Sequence, residues 1–520
     1  MTQRWRIDGR GTVDRSNPLA FDYDGVGLEG YAGDTLASAL LANGVHLVGR
    51  SFKYHRPRGI YTAGVEEPNA LVQLGKGART EPNARATTVE LYDGLVATSQ
   101  NCWPSVRFDV GAVANALSPL LPAGFYYKTF MWPPTPAWWL RYEHFIRRAA
   151  GMGRAPAEPD PDHYEHRYAH CDVLVIGGGF AGLSAARSAA RGGARVIVCQ
   201  QAARFASALV RVTPDHADAA QRFVVEATAE LSGEPDVTLL TRTTAFGYYD
   251  GSLVAAVERV TEHVAQPPAD RPRERLWLIR ARAVVLATGV IERGIAYANN
   301  DLPGTMLAGA VRTYADGYGV RVGSRAAVFA NNDVAYGVAR SLRESGVEIA
   351  AIVDPRASPR GGGSAAVAMA DGIRVLPRSV IRRAHGRLRV TAVDVGDRDG
   401  GASTRLDCDV VAVSGGYSPS VHLFSQARGS LRYDAASASF LPDASPLPIV
   451  AAGGVRGMRD VDAAIADGAA AAFVALGKAR PAGSMPPAAA ASMDAAASFE
   501  PSGSTEVSAD IEPLWAVRAG

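Results

Sequence analysis

Residues 171–201 read CDVLVIGGGFAGLSAARSAARGGARVIVCQQ, and the fold is decided there. An apolar run ending at Ile176 meets a glycine-rich turn, then an Ala-rich helical stretch, the Gly192-Gly193 turn and a second apolar run ending at Cys199. That order outlines a βαβ unit. Gly177, Gly179 and Gly182 fit G-x-G-x-x-G, with Gly178, Phe180 and Ala181 between them. The three glycines have distinct duties. Gly177 permits the tight turn, Gly179 lets a pyrophosphate approach the backbone, and Gly182 lets helix and strand lie close. The first turn of the helix supplies free N–H groups and a positive dipole end to the phosphates. A glycine triplet alone is weak evidence, but its place at a strand–helix junction predicts a dinucleotide fold. The acidic residue expected after the second strand is replaced by Gln200 and Gln201, whose amides accept from a ribose hydroxyl more weakly than a carboxylate does. A bound dinucleotide and a retained fold without ligand both remain open on this motif.

Later segments extend the pattern. ARAVVLATGVIER (281–293) is an apolar strand leading to Ala287, Thr288 and Gly289, and LPIVAAGGVRG (447–457) runs into Gly453 and Gly454 before a small-residue helix. Both suit the points where two-dinucleotide flavoproteins return the chain to the first nucleotide. Residues 324–356 outline a second βαβ unit, but its turn reads Ala330-Asn331-Asn332-Asp333 without glycine. Side chains there block close phosphate approach, so one nucleotide site is expected rather than two. The expected architecture is α/β: a two-dinucleotide-binding (FAD/NAD-type Rossmann) domain over 172–478, with the second βαβ unit inserted at about 320–445.

The chain has 520 residues, too long for one core. Apolar residues make up 47% and charged residues 20%, which excludes wholesale disorder. The net charge of +2, from 54 basic and 52 acidic side chains, gives no field to recruit nucleic acid or an anionic membrane. The N-terminus lacks the apolar stretch of a secretory signal, and no apolar run is long enough to span a membrane. Cys102, Cys171, Cys199 and Cys408 lie far apart, so neither a disulfide framework nor a structural zinc site is expected. The cytoplasm is the simplest compartment.

Residues 1–99 suggest a small β-rich module with one helix, LASALLANGV, capped by Thr35 or Asp34 and stopped at Gly44. Residues 100–171 form an aromatic, Pro-rich connector carrying Trp132, Trp138 and Trp139. It reads as a partner surface or, more plainly, as a wrap packed on its own domain. Residues 479–520 are a low-complexity Pro/Ala/Ser tail. His163, His166 and His170 beside Cys171 have ligand-like spacing, but linear spacing does not supply convergent geometry, and no metal site is expected. His55, Arg56 and Arg58 read either as an anion grip or as surface and subunit contacts. No acid–base role falls to His422, and no catalytic residue is named.

Taken together, GYAGDTLASALLANGVHLVGRSFKYHRPRGI (30–60), AGVEEPNALV (63–72), AGFYYKTFMWP (123–133), YEHRYAHCDVLVIGGG (164–179), ATGVIERGIAYANNDLPGTMLAGAVRTY (287–314) and SGGYSPSVHLFSQ (414–426) resemble the α-subunits of heterotetrameric sarcosine oxidases. The resemblance implies oxidative demethylation of sarcosine to glycine, with FMN or FAD on a partner β-subunit, oxygen as electron acceptor and the one-carbon unit passed to tetrahydrofolate. It implies NAD, or FAD as the alternative, in this chain, held by Gly177, Gly178, Gly179, Phe180, Ala181, Gly182, Gln200, Gln201, Ala287, Thr288, Gly289, Gly453 and Gly454. Smaller subunits would complete the hetero-oligomer. Phe180 stands where relatives have Pro, and the sequence stops about where their folate domain would begin, so folate coupling is expected on a separate chain if anywhere. The first module resembles ferredoxin-like domains of related opine oxidase and cyanide synthase subunits. Residues 1–95 contain no cysteine, so the expectation is a module without an iron–sulfur cluster. The alternatives are an α-subunit for another opine, imino-acid or secondary-amine dehydrogenase, a scaffold subunit without nucleotide, and a free-standing flavin reductase.

Overall fold

In the computed structural model, which describes residues 3–121, 124, 131–151, 153, 155–207, 214–357, 364–479 and 511–517, the opening segment folds as the strand Tyr164–Ile176, the helix Phe180–Arg191 and the strand Val196–Cys199. The strand starts at Tyr164, earlier than the apolar run, because its polar first half pairs in parallel with Glu274–Leu286 from Tyr164 against Glu274 onward. Only its last four residues, Val173–Ile176, are continuously buried, as a strand covered on both faces should be.

Contacts divide the chain into two compact units, one of Met1–Pro161, Gly294–Gly415 and Leu514–Gly520, the other of Asp162–Arg293 and Gly416–Pro513. The second unit is built on one sheet, in the order Val237–Leu240, Val196–Cys199, Tyr164–Ile176, Glu274–Leu286, Leu253–Arg259, Thr243–Tyr249, with Ile449–Ala451 also paired in parallel to Glu274–Leu286. The helix Val461–Ala479 packs on Phe180–Arg191, and the Ser184 hydroxyl donates to the Ile465 carbonyl at 2.7 Å. Val173, Val175, Leu183, Val198, Val285, Ala472 and Leu476 fill the core between sheet and helices.

The other unit holds the N-terminal module. Its sheet runs Val26–Ala32, Asp14–Tyr23, Leu95–Ser99, Leu71–Leu74, Glu81–Arg85, and the helix Leu36–Ala42 is buried along its whole length. Thr35, rather than Asp34, is the cap. Its hydroxyl accepts from the Ser38 N–H while the Ser38 hydroxyl accepts from the Thr35 N–H, a reciprocal capping box. Residues 294–415 form a five-stranded parallel sheet, Thr305–Leu307, Val410–Ser414, Arg325–Ala330, Glu348–Val353 and Val375–Leu376, with the helix Val334–Glu344 between two of the strands. This sheet and the N-terminal module share one hydrophobic core.

The connector differs from its plainer reading. Met131, Trp132, Leu140 and Phe145 are each more than half exposed, so these side chains do not pack as a wrap. Part of the motif at 123–133 and most of the 479–520 tail lie outside the described residues; within the tail, Val517 N–H donates to the Ala296 carbonyl at 2.7 Å. Among the described residues, no helix is long and apolar enough to cross a membrane, and no cluster of three or more His, Cys, Asp or Glu could hold a metal.

Candidate dinucleotide site

All thirteen residues expected at the site fall in the unit of Asp162–Arg293 and Gly416–Pro513. The structure brings most of them together at one end of the sheet. Gly177 has a φ of 104°, a conformation that favours glycine, and a Cβ on it would collide with the Ala287 carbonyl. A Cβ on Gly182 would collide with the Gly177 carbonyl, so helix and turn touch backbone to backbone there. A Cβ on Gly453 would lie 2.5 Å from Ala181 Cβ, and one on Gly454 would lie 3.4 Å from Gly289 Cα. The glycines at 453 and 454 thus lie against the first turn and the Gly289 strand end. Thr288 is held by donating its hydroxyl to the Ser420 carbonyl at 2.8 Å.

Gly179 is different. It caps the helix Phe180–Arg191 with no side-chain hydrogen bond, and a Cβ there would meet nothing within 4 Å. Open space and unsatisfied first-turn N–H groups are what an anion at a helix N-terminus requires. Gly178 is covered instead. Its N–H donates to Gln200 Oε1 at 3.0 Å, its carbonyl accepts from Ala206 N–H at 2.7 Å, and the Phe205 ring lies over its Cα. Gln200 also donates through Nε2 to the Arg204 carbonyl at 3.1 Å, so its amide is committed to backbone rather than free for a ribose. Gln201 is half-buried, and its carbonyl accepts from Arg259. The covering of Gly178 by residues 200–206 was not visible in the sequence.

The second βαβ turn is filled by side chains. Asn331, Asn332 and Ser414 are buried, and Asn332 Nδ2 donates to Ser414 Oγ at 3.0 Å. Arg356 pairs with Asp333 at 2.7 Å and Asp354 at 2.8 Å, and the Tyr336 hydroxyl donates to Asp354 at 2.8 Å. Arg56 and Arg58 are engaged with Asp301, and His55 with Asp109 at 2.7 Å, so this trio does not form a free anion grip. The thiols of Cys171, Cys199 and Cys408 are each pushed up to about 12, mainly by burial, and all four cysteines are free. A buried thiol of that kind is inert as a nucleophile at neutral pH.

Comparison with known proteins places this geometry. Residues 171–438 match the pyridine nucleotide-disulphide oxidoreductase family, and residues 16–102 match the 2Fe-2S iron-sulfur cluster binding domain. The chain is 48% identical over 469 residues to the sarcosine oxidase subunit alpha of Rhizobium meliloti (strain 1021), covering 90% of this chain and 47% of that protein. It is 39% identical over 467 residues to the sarcosine oxidase subunit alpha of Corynebacterium sp. (strain P-1), covering 88% and 43%. The chain therefore spans about half the length of the curated relatives it matches. The L-proline dehydrogenase of P. horikoshii shares the fold at a TM-score of 0.59, with 17% identity, 92% of this chain and 76% of that one covered.

The cofactor expectation needs correction. It set iron–sulfur chemistry aside because residues 1–95 lack cysteine, yet residues 16–102 match a 2Fe-2S cluster binding domain. Counting ligands tested the donor set, whereas the match reflects the pattern of the whole module. As for fit, a two-iron cluster takes four thiolates, and the matched stretch supplies Cys102 alone. The loop at 61–70 is gathered round Glu67, a buried acid missed in the sequence. Its carboxylate accepts from the N–H groups of Tyr61, Thr62, Asn69 and Ala70 at 2.7–3.0 Å. With a single thiol in the matched stretch, these donors do not fit a cluster.

Proposed function

The chain belongs to the pyridine nucleotide-disulphide oxidoreductase family and is a homologue of sarcosine oxidase alpha subunits, and from that premise we propose that it is the dinucleotide-binding subunit of a sarcosine oxidase-like complex. The complex would demethylate sarcosine oxidatively to glycine, with the amine oxidised at a flavin on a partner subunit. One observation carries the reading: the helix N-terminus at Gly179 is open and uncapped. Gly453 and Gly454 close around the same turn, against the Ala181 side chain and the Gly289 backbone.

When bound, a dinucleotide supplies hydride or electron transfer. This chain's residues bind and orient it. The N–H groups opening the helix Phe180–Arg191 would hold the diphosphate, and Gly177 and Gly182 keep strand and helix close enough to present them. The disulfide exchange in the family's name is not assigned to this chain, since its thiols lie far apart in sequence and three are buried.

A second reading, a scaffold subunit without nucleotide, is favoured by Phe205 and Gln200 covering Gly178. One experiment separates the two. Cofactor is released from the purified chain by heat, then identified by spectrum and mass. One equivalent of a dinucleotide per chain supports the carrier, and none refutes it. Sarcosine oxidation by the isolated chain would refute the division of labour.

A further inference from the structure

Near the start of the chain, cationic and N–H-donating side chains are gathered with little to accept from them. Trp5 is their hub. The Arg4 and Arg321 guanidinium carbons lie 5.8 and 5.4 Å from its ring centroid, and the His46 imidazole meets the ring edge-on with centroids 6.0 Å apart. Backbone hydrogen bonds fix the arrangement. Trp5 N–H donates to the Ala42 carbonyl at 3.0 Å, and Arg321 N–H donates to the Trp5 carbonyl at 2.9 Å. Arg389 adds a third guanidinium, held by the Val322 carbonyl at 3.0 Å and the Asp409 carbonyl at 3.2 Å. Burial, then the Arg389 and Arg4 charges, push the His46 imidazole down to about 3, so it stands neutral among cations.

Three buried nitrogens, Trp5 Nε1, His46 Nε2 and Arg321 Nε, have no hydrogen-bond partner among the described residues. Trp5 Nε1 and Arg4 Nε and Nη2 lie 3.0, 3.1 and 3.1 Å from the point where a Cβ on Gly44 would stand. A side chain at Gly44 would press on these nitrogens, so glycine there leaves them their places. The facing carboxylate is Asp409, 3.4 Å from Arg389 and already accepting from the Ser324 and Arg325 N–H groups. Two unpartnered donors, Trp5 Nε1 and Arg321 Nε, stand with the unpartnered His46 Nε2, whose role is set by its tautomer, among the Arg4, Arg321 and Arg389 guanidiniums. This excess of positive charge calls for a ligand with several acceptor oxygens and negative charge.

We propose that Arg4, Trp5, His46, Arg321 and Arg389 form a binding site for a phosphate-type oxyanion, either the free ion or the terminal phosphate of a small metabolite. The site is independent of the dinucleotide carrier function. Calorimetric titration of the full chain at fixed ionic strength, balanced with NaCl, tests it. One arm uses inorganic phosphate and the other glycerol phosphate. Saturable binding of one anion per chain is expected, and the tighter arm identifies the source. Arg4 is exposed, so Arg4→Gln should leave the fold intact while weakening binding at least about tenfold, the loss of one charge-assisted contact. Arg321→Gln should do the same. Bound phosphate should also raise the pH at which the His46 ring proton titrates in NMR spectra. Absence of saturable binding in both arms, or equal affinity in both variants and the parent, would overturn the site.

Discussion

Two glycines in the same turn should fail in different ways when each gains a methyl group. A Cβ on Gly182 falls within 3.0 Å of the Gly177 carbonyl oxygen, and backbone lies on both sides of the contact. The helix must move out from the strand by roughly 1 Å, an overpacking that costs about 1–3 kcal/mol. The better helix propensity of alanine returns up to about 1 kcal/mol. Gly182→Ala should therefore lower stability by about 1–2 kcal/mol and lower cofactor content with it. At Gly179, a Cβ meets nothing within 4 Å and the φ of −79° suits any residue. Losing a glycine at the cap costs a few tenths of a kcal/mol, and stiffening the unfolded chain returns about 0.4–1 kcal/mol. Stability should stay within about 0.5 kcal/mol of the parent, yet the methyl stands where the diphosphate must come. The assay pairs urea unfolding with the cofactor equivalents released on heating. Gly179→Ala should match the parent midpoint and lose its cofactor. If it keeps a full equivalent, the diphosphate is not held at that helix end and the reasoning fails.

Further outcomes follow from the same contacts. Glu67→Ala leaves the buried N–H groups of Thr62 and Ala70 without their acceptor and should cost about 2–4 kcal/mol, read as a lower denaturation midpoint. Burial alone would raise the Asp301 carboxyl, but the Arg56 and Arg58 guanidiniums outweigh it and hold the group below its ordinary value. Its stabilising contribution is complete above a pH of about 4, where the unfolded group is ionised, and is lost as pH falls through the depressed folded value. The denaturation midpoint should accordingly fall with acid in the parent, and Asp301→Asn should flatten that slope. With Cys171, Cys199 and Cys408 buried, a thiol-reactive dye should label at most Cys102 in the native chain and all four cysteines after denaturation; fast native labelling of more than one would contradict the burial described.

What the sequence made legible was local. The strand, glycine turn and helix at 171–201 follow from adjacent residues whose spacing and backbone freedom act within one turn. A helix cap at Thr35 or Asp34 and the glycine-free turn at Asn331, Asn332 and Asp333 were readable on the same terms. What escaped depends on partners distant in the chain. Gln200 reads as a weak ribose acceptor, but its amide turns back to Gly178 because residues 200–206 fold over the turn. Nothing in EEPN distinguishes Glu66 from Glu67, and only the latter is fully buried, where backbone N–H groups converge on it. The exposed connector aromatics show the opposite limit, since composition does not say which apolar side chains find a neighbour.

The second unit is assembled from two separated stretches, and this has a consequence for biogenesis. The glycine turn at 177–182 is synthesised early, whereas Gly453, Gly454 and the helix Val461–Ala479 that complete its surroundings emerge from the ribosome nearly three hundred residues later. During that interval the nascent pocket lacks its closing wall, while the whole intervening segment, Gly294–Gly415, belongs to another fold. On the proposed carrier reading, cofactor loading is a late event in synthesis, and nascent chains stalled before residue 449 should be unable to retain a dinucleotide.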